Sequence, residues 1–374
     1  MNILLLIPSN IGTIASVSYN LYKGLCQQDN TTVFVACLGP YTKDGFNFGN
    51  VFELGSIRTS ILRCVKLYGF KKKNKIDISI STLLGATYWN VLSGIGEKKV
   101  GVFHTRLSQL KFRGVLYYWC NYIANMVLCS RLDTMIAVNK SAYLDLIKLH
   151  GSNKNIRLVY NIHDFSRINH LSQEDITDPN EKKIFESKVI LYVGSLRCKI
   201  KGTDRLFYAF AKILKKYPGY KLVYIGSDEE NAREYLQKLC NDYDLNDSVY
   251  FLGRKRNPYK YMKHAELLVS PSRDEGLPGV LIEALSLGLK CVASNSSIGV
   301  WEIMQCPDKY NPHLSRIIET DFGLICPNLL DNEAATINMM GEAIDICLST
   351  RFNKIHSFDI SRFSASSVIP HYLQ

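Results

Sequence analysis

The sequence predicts an α/β chain built from two parallel-sheet domains. Three observations carry that prediction. Strand-like and helix-like runs alternate along nearly the whole chain, the alternation restarts after a polar interruption near residue 180, and 374 residues exceed what one core ordinarily fills. Apolar residues make up 47% and charged residues 21%, a globular composition.

In the first half, strands are expected at residues 2–7, 32–38, 76–81, 99–104, 134–138 and 156–160. Helices are expected at 16–26, 114–130 and 141–149. The opening apolar run, Ile3 to Ile7, is too short for a signal-peptide core or a membrane span, and a Pro8-Ser-Asn turn follows it. No later segment reaches spanning length. The stretch 171–187 is polar, begins a Ser-Gln-Glu-Asp run at Ser172, and is expected as the linker. Strands then recur at 188–192, 221–225, 249–252, 266–270 and 290–293. Helices recur at 204–216, 230–243, 259–263, 280–287, 332–349 and 360–372. The expected organisation is therefore a first domain at 1–170, a second at 188–358, and a final helix within 359–374 that crosses back to the first.

Charge is unevenly spread. The net charge is +11, yet residues 1–170 hold 20 Lys/Arg against 8 Asp/Glu, leaving 25 against 26 for the rest. The first domain is expected to face an anionic partner, and an anionic membrane surface is preferred over nucleic acid. Two basic stretches suit such a surface: 56–75, with Ile57, Ile61, Leu62 and Val65 among cations, and 106–113, which runs into Tyr117-Tyr-Trp119. The eleven cysteines are scattered without Cys-x2-Cys spacing, which points to reduced thiols acting as small core residues and to no metal site. No Gly-x-Gly-x-x-Gly follows the first strand, which argues against a dehydrogenase.

The chemistry gathers between Ser270 and Gly288. An apolar strand passes through Pro271-Ser-Arg-Asp-Glu275-Gly-Leu-Pro-Gly279 into an apolar helix. A turn entering a helix offers backbone N–H groups and the positive dipole end to an anion. The two carboxylates, Glu275 and Glu283, can accept hydrogen bonds from hydroxyls. Phosphate and polyol recognition side by side suggests a nucleotide-sugar site. A glycosidase acid–nucleophile pair is disfavoured, because one Glu precedes the helix and the other lies inside it.

Glu275-Gly-Leu-Pro-Gly-Val-Leu-Ile-Glu283 resembles the Glu-x7-Glu donor signature of the retaining glycosyltransferases of family 4, as found in surface-polysaccharide and O-antigen assembly. The resemblance implies a GT-B fold, two Rossmann-like domains facing across a cleft. It implies that Glu283 accepts from the ribose, that Glu275 lies near the sugar, and that Gly276, Leu277, Pro278, Gly279 and Val280 hold the diphosphate. Lys201, before Gly202, matches the family lysine on the donor pyrophosphate. The family arginine is missing, since Ser195 follows Gly194, and Arg197 is the candidate replacement. Gly12, in a first loop poorer in glycine than the family's, is either a donor contact or a structural turn. His104, at the end of a strand, corresponds to a histidine that contacts the transferred sugar.

The implied activity is transfer of a hexose or N-acetylhexosamine from a UDP-linked donor to a saccharide on a polyprenyl diphosphate. No metal is expected, and the location is the cytoplasmic face of the plasma membrane, without a span. The alternatives are a nucleotide-sugar epimerase of the same fold and a non-catalytic carbohydrate- or lipid-binding protein.

Overall fold

A computed structural model describes residues 1–57, 59–104, 115–306, 308–349 and 358–374. The chain divides into two compact units, Met1–Asp164 with Ser361–Gln374, and Phe165–Ile360.

The first unit runs β1 (Asn2–Ile7), α1 (Thr13–Cys26), β2 (Thr32–Cys37), β3 (Val51–Glu53), α2 (Ser60–Lys73), β4 (Ile78–Thr82), α3 (Leu84–Leu92), β5 (Lys98–Phe103), α4 (Val115–Leu128), β6 (Thr134–Ala137), α5 (Lys140–His150) and β7 (Ile156–Leu158). Its seven strands lie parallel in the order β3-β2-β1-β4-β5-β6-β7. Ile3 to Ile7 are fully buried, as a strand covered by helices on both faces requires. Ile3, Leu5 and Ile7 pack with Leu21 and Leu25 of α1, while Leu4 and Leu6 pack on the opposite face with Leu67 of α2.

Helix α2 departs at one lysine from the expectation of a basic amphipathic surface. Lys71 is fully buried, and its ammonium donates to Glu97 Oε1 at 2.6 Å and to the Asn90 side chain at 2.7 Å. It is unavailable to lipid. Ile61, Leu62, Val65 and Tyr68 of the same helix stay exposed. The second basic stretch, 106–113, lies outside the described residues.

The second unit runs α6 (Phe165–Ser172), α7 (Pro179–Phe185), β8 (Lys188–Val193), α8 (Cys198–Lys201), α9 (Thr203–Leu214), β9 (Tyr220–Ile225), α10 (Ala232–Asp242), β10 (Val249–Phe251), α11 (Tyr259–Lys263), β11 (Leu267–Ser270), α12 (Gly279–Ser286), β12 (Cys291–Ser294), α13 (Ile298–Ile303), β13 (Ile318–Thr320), β14 (Gly323–Cys326) and α14 (Glu333–Ser349). The sheet order is β10-β9-β8-β11-β12-β14-β13, parallel except for β13. Helix α9 seats Leu206, Phe207, Phe210 and Ile213 on this sheet, the i, i+1, i+4, i+7 spacing of one helical face.

Three of the expected segments take a different form. The stretch 171–187, expected as linker, contains α7, whose start is built by Asp178 accepting from the Asn180 and Glu181 N–H groups with Pro179 in the first turn. Asp-Pro is helix-start chemistry here rather than loop chemistry. Helix α10 begins at Ala232 rather than residue 230, because Glu230 and Asn231 adopt positive φ. The final helix is instead a 3-10 turn at Ser361–Phe363 followed by α15 (Ala365–Val368) and α16 (Pro370–Leu373), whose Val368, Ile369 and Tyr372 enter the first unit's core.

Candidate active site

In the second unit, β8 and β11 are neighbours, but the chain leaves them in opposite directions, toward β9 and toward β12. The loops after these two strands therefore diverge at a topological switch point, where open α/β sheets bind ligands. Lys201 follows β8 and Glu275 follows β11, so the topology alone brings them to one crevice.

The loop after β8 turns through α8 and is stopped by Gly202, which holds φ 62°. A Cβ at that position would overlap the Pro271 carbonyl oxygen, so close approach and left-handed backbone both demand glycine. This turn aims Lys201 at the other loop. Its ammonium donates to Glu275 Oε1 at 2.7 Å, and the Ser272 hydroxyl donates to the same oxygen at 2.8 Å. The lysine side chain is 27% exposed and the glutamate 15%, so the pair is desolvated yet still reachable by a ligand.

Beyond Glu275, Gly276 is pinned by the Ser297 hydroxyl, which donates to its carbonyl at 3.1 Å. Gly299 packs so closely on that carbonyl that a Cβ would collide with it. Leu277 is half-buried and Pro278, buried, caps α12. Gly279 and Val280 form its first turn, where N–H groups lack intrahelical acceptors. Glu283, one turn further, is half-buried beside the Tyr259 hydroxyl at 3.4 Å. Burial pushes its carboxyl up to about 7, with Tyr259 and the Arg167 charge opposing the shift.

Arg197 does not join this group. It forms an ion pair with Glu229, in the loop after β9. The next residue upstream, Leu196, bridges to Asp228 in the same loop, which carries the arginine that way.

Gly12 and His104 belong to the first unit. Gly12 starts α1 at φ 89°, with open space where a Cβ would sit. The Gly-poor loop before it is built by Asn10, which is fully buried. Its amide donates to the Thr42 carbonyl at 2.7 Å, and its side-chain oxygen accepts from the Thr42 N–H at 3.0 Å. His104 follows β5, is buried, and its Nε2 has no hydrogen-bond partner among the described residues. Burial lowers its pKa to about 4, so the imidazole is neutral near pH 7.

Ser272, Ser297, Asn10 and Tyr259 escaped the sequence reading. Ser297, Asn10 and Tyr259 act through partners more than twenty residues away, so no local pattern marks them, and Ser272 acts on Glu275 three residues on. Among the described residues, no three His, Cys, Asp or Glu side chains gather as a metal site, and no helix is long and apolar enough to cross a membrane.

Two Rossmann-like units with this strand order define a GT-B fold. HepE of Anabaena, crystallised in complex with UDP and glucose, superposes with a TM-score of 0.74 at 16% identity, over 99% of this chain and 98% of that one. Residues 174–305 match the family model described as glycosyl transferases group 1. An uncharacterized glycosyltransferase of Methanocaldococcus jannaschii is 34% identical over 41% of this chain and 36% of its own length. The N-acetylgalactosamine-N,N'-diacetylbacillosaminyl-diphospho-undecaprenol 4-alpha-N-acetylgalactosaminyltransferase of Campylobacter jejuni is 31% identical over 49% of this chain and 48% of its own. The chain thus spans between about a third and a half of the length of the curated relatives it matches.

Proposed function

We propose that this protein is a retaining glycosyltransferase of surface-polysaccharide assembly. It moves a hexose or N-acetylhexosamine from a UDP-linked donor to a saccharide carried on a polyprenyl diphosphate at an anionic membrane surface. The observation that carries the reading is the Lys201 ammonium, 2.7 Å from Glu275 in the loop that leads from the switch-point crevice into α12. The UDP complex of HepE and the lipid-linked substrate in the Campylobacter relative's name support the choice of donor and acceptor.

In this reading the diphosphate lies against Lys201 and the N–H groups of Leu277, Gly279 and Val280, and Glu283 accepts from the ribose hydroxyls. The bond from the anomeric carbon to the phosphate oxygen breaks, and the electron pair stays on the departing UDP. Lys201 stabilises that developing charge. The acceptor hydroxyl forms the new bond on the same face and gives its proton to the leaving phosphate. With a fixed ammonium in that role, the reaction needs no resident metal. His104, as a neutral imidazole, serves as a hydrogen-bonding group for the sugar rather than as a cation.

The test incubates the full chain with radiolabelled nucleotide sugars and membranes carrying lipid-linked saccharides. One UDP-sugar should label the lipid fraction with its anomeric configuration retained and with undiminished rate in EDTA. Lys201→Ala should lower kcat by about 100-fold or more. If no donor is consumed with or without acceptor, the reading fails. Turnover without acceptor that yields an epimerised sugar, rather than hydrolysed donor, would favour the epimerase.

A further inference from the structure

Behind the Lys201–Glu275 pair lies a knot of four charged side chains. Arg273, two residues before Glu275, forks onto Asp204 through two bonds of 3.0 Å and also donates to the carbonyl of Cys198 and to Glu333. Its backbone N–H donates to the Ile200 carbonyl at 2.8 Å. Arg273 therefore grips α8 at its first residue, at the residue before Lys201, and through Asp204 just beyond it. Arg205 is fully buried and meets both oxygens of Glu333 at 2.6 Å, with Asn328 Oδ1 also at 2.6 Å. Asn328 closes the knot by donating to the Arg273 carbonyl at 2.8 Å.

Two arginines balance two carboxylates, and the arginines hold Glu333 below its ordinary range. Such a network is costly to desolvate, and apolar side chains of like volume would stabilise the fold about as well. What apolar packing would not supply is directional registry between two loops. A bidentate guanidinium fixes both distance and plane. The two loops it joins are the ones that carry Lys201 and Glu275.

We propose that Arg273 is a positioning residue: through the Cys198 carbonyl at the start of α8 and Asp204 at the start of α9, with Glu333 bracing it from α14, it locks α8 to the 271–278 loop and so sets the Lys201 ammonium against the Glu275 carboxylate. This rests on the reading of Lys201 as the cation that meets the leaving diphosphate. Both terminal guanidinium nitrogens of Arg273 are engaged with protein, which separates its role from that of a ligand contact.

Two measurements test it. The first is a crystal structure of Arg273→Gln without substrate, which is independent of any activity. The Lys201–Glu275 contact should be lost, and an unchanged contact overturns the proposal. The second is a kinetic cycle on whichever nucleotide sugar the wild type consumes. Arg273→Gln should lower kcat about 10- to 100-fold, with donor KM within about threefold of wild type. Combined with Lys201→Ala, it should add little to the loss from Lys201→Ala alone. Arg273→Lys, which keeps the charge but not the fork, should recover only part of the rate. Multiplying effects in the double variant, or a change confined to KM, overturn the proposal. Asp204→Asn keeps the volume and serves in both experiments if Arg273→Gln does not fold. A wild type that consumes no donor defeats the functional reading, while the crystal structure still decides whether the knot sets Lys201.

Discussion

At Glu283 burial carries an energetic penalty that a solvated glutamate escapes. The unfolded chain releases this proton near the usual 4.5, whereas the folded chain keeps it up to about 7. Between those values the native state binds the extra proton. Stability from this group is therefore present below pH 4.5 and is lost as pH rises through 7. At pH 8 the ionised carboxylate costs on the order of 3 kcal/mol. Glu283→Gln removes the charge and keeps the shape. Its thermal midpoint should exceed wild type at pH 8 and nearly coincide with it at pH 5. UDP should bind the variant about tenfold more weakly at pH 8, because a charged acceptor for the ribose is gone. A variant less stable than wild type at pH 8 would show that Glu283 is not strained by its surroundings.

Among the elements, the turn from α8 into α9 depends on one residue. Gly202→Ala meets both the left-handed backbone and the Pro271 carbonyl. The first costs roughly 1 kcal/mol and the second forces backbone to move, so the loss should exceed 1 kcal/mol and be accompanied by reduced turnover as Lys201 shifts. Gly69→Ala is the contrasting case: it lies inside α2 with open space around its Cα and should stabilise by a few tenths to about 1 kcal/mol. Urea midpoints for the two variants moving in the same direction would refute the argument. These positions also separate what the sequence makes legible from what it hides. The strand, Gly/Pro turn and helix around Glu275 fall within twenty residues, and Lys201-Gly202 sits between a strand and a helix, so local pattern marks both. Helix α3 has no such mark, because Leu83 precedes it at positive φ and offers no capping side chain. Strands β13 and β14 are three and four residues long, too short for periodicity to declare. Arg273, Asp204 and Glu333 look like solvated charges until folding brings α9, α14 and the 271–278 loop together. Lys71 looks like one of three surface lysines, and only the tertiary fold turns it toward Glu97.

For the molecule as a whole, the charge asymmetry is the property that pairwise contacts do not explain. Residues 1–170 hold 20 of the 45 basic side chains but only 8 of the 34 acidic ones. The first unit also exposes apolar residues on one helix, with Ile61 at 80%, Val65 at 59% and Leu62 at 46%. Arg63, Lys66, Lys72 and Lys73 share that helix. Arg63 is held back on the Ile57 carbonyl, and at roughly 1 kcal/mol for each cation near an anionic membrane the three lysines would support the proposed reversible adsorption. The proposed membrane association then has two separable parts. Vesicles rich in anionic phospholipid should bind the full chain at 0.05 M salt, and neutral vesicles should not. Raising salt to about 0.5 M should release most of it, because surface attraction is screened within a Debye length. Ile61→Ser with Val65→Ser should weaken binding at every salt concentration without flattening that dependence, since they remove area and not charge. Equal binding to neutral and anionic vesicles in flotation would refute the electrostatic part. Unchanged binding of the double variant would move the contact away from α2, to another surface of the basic unit.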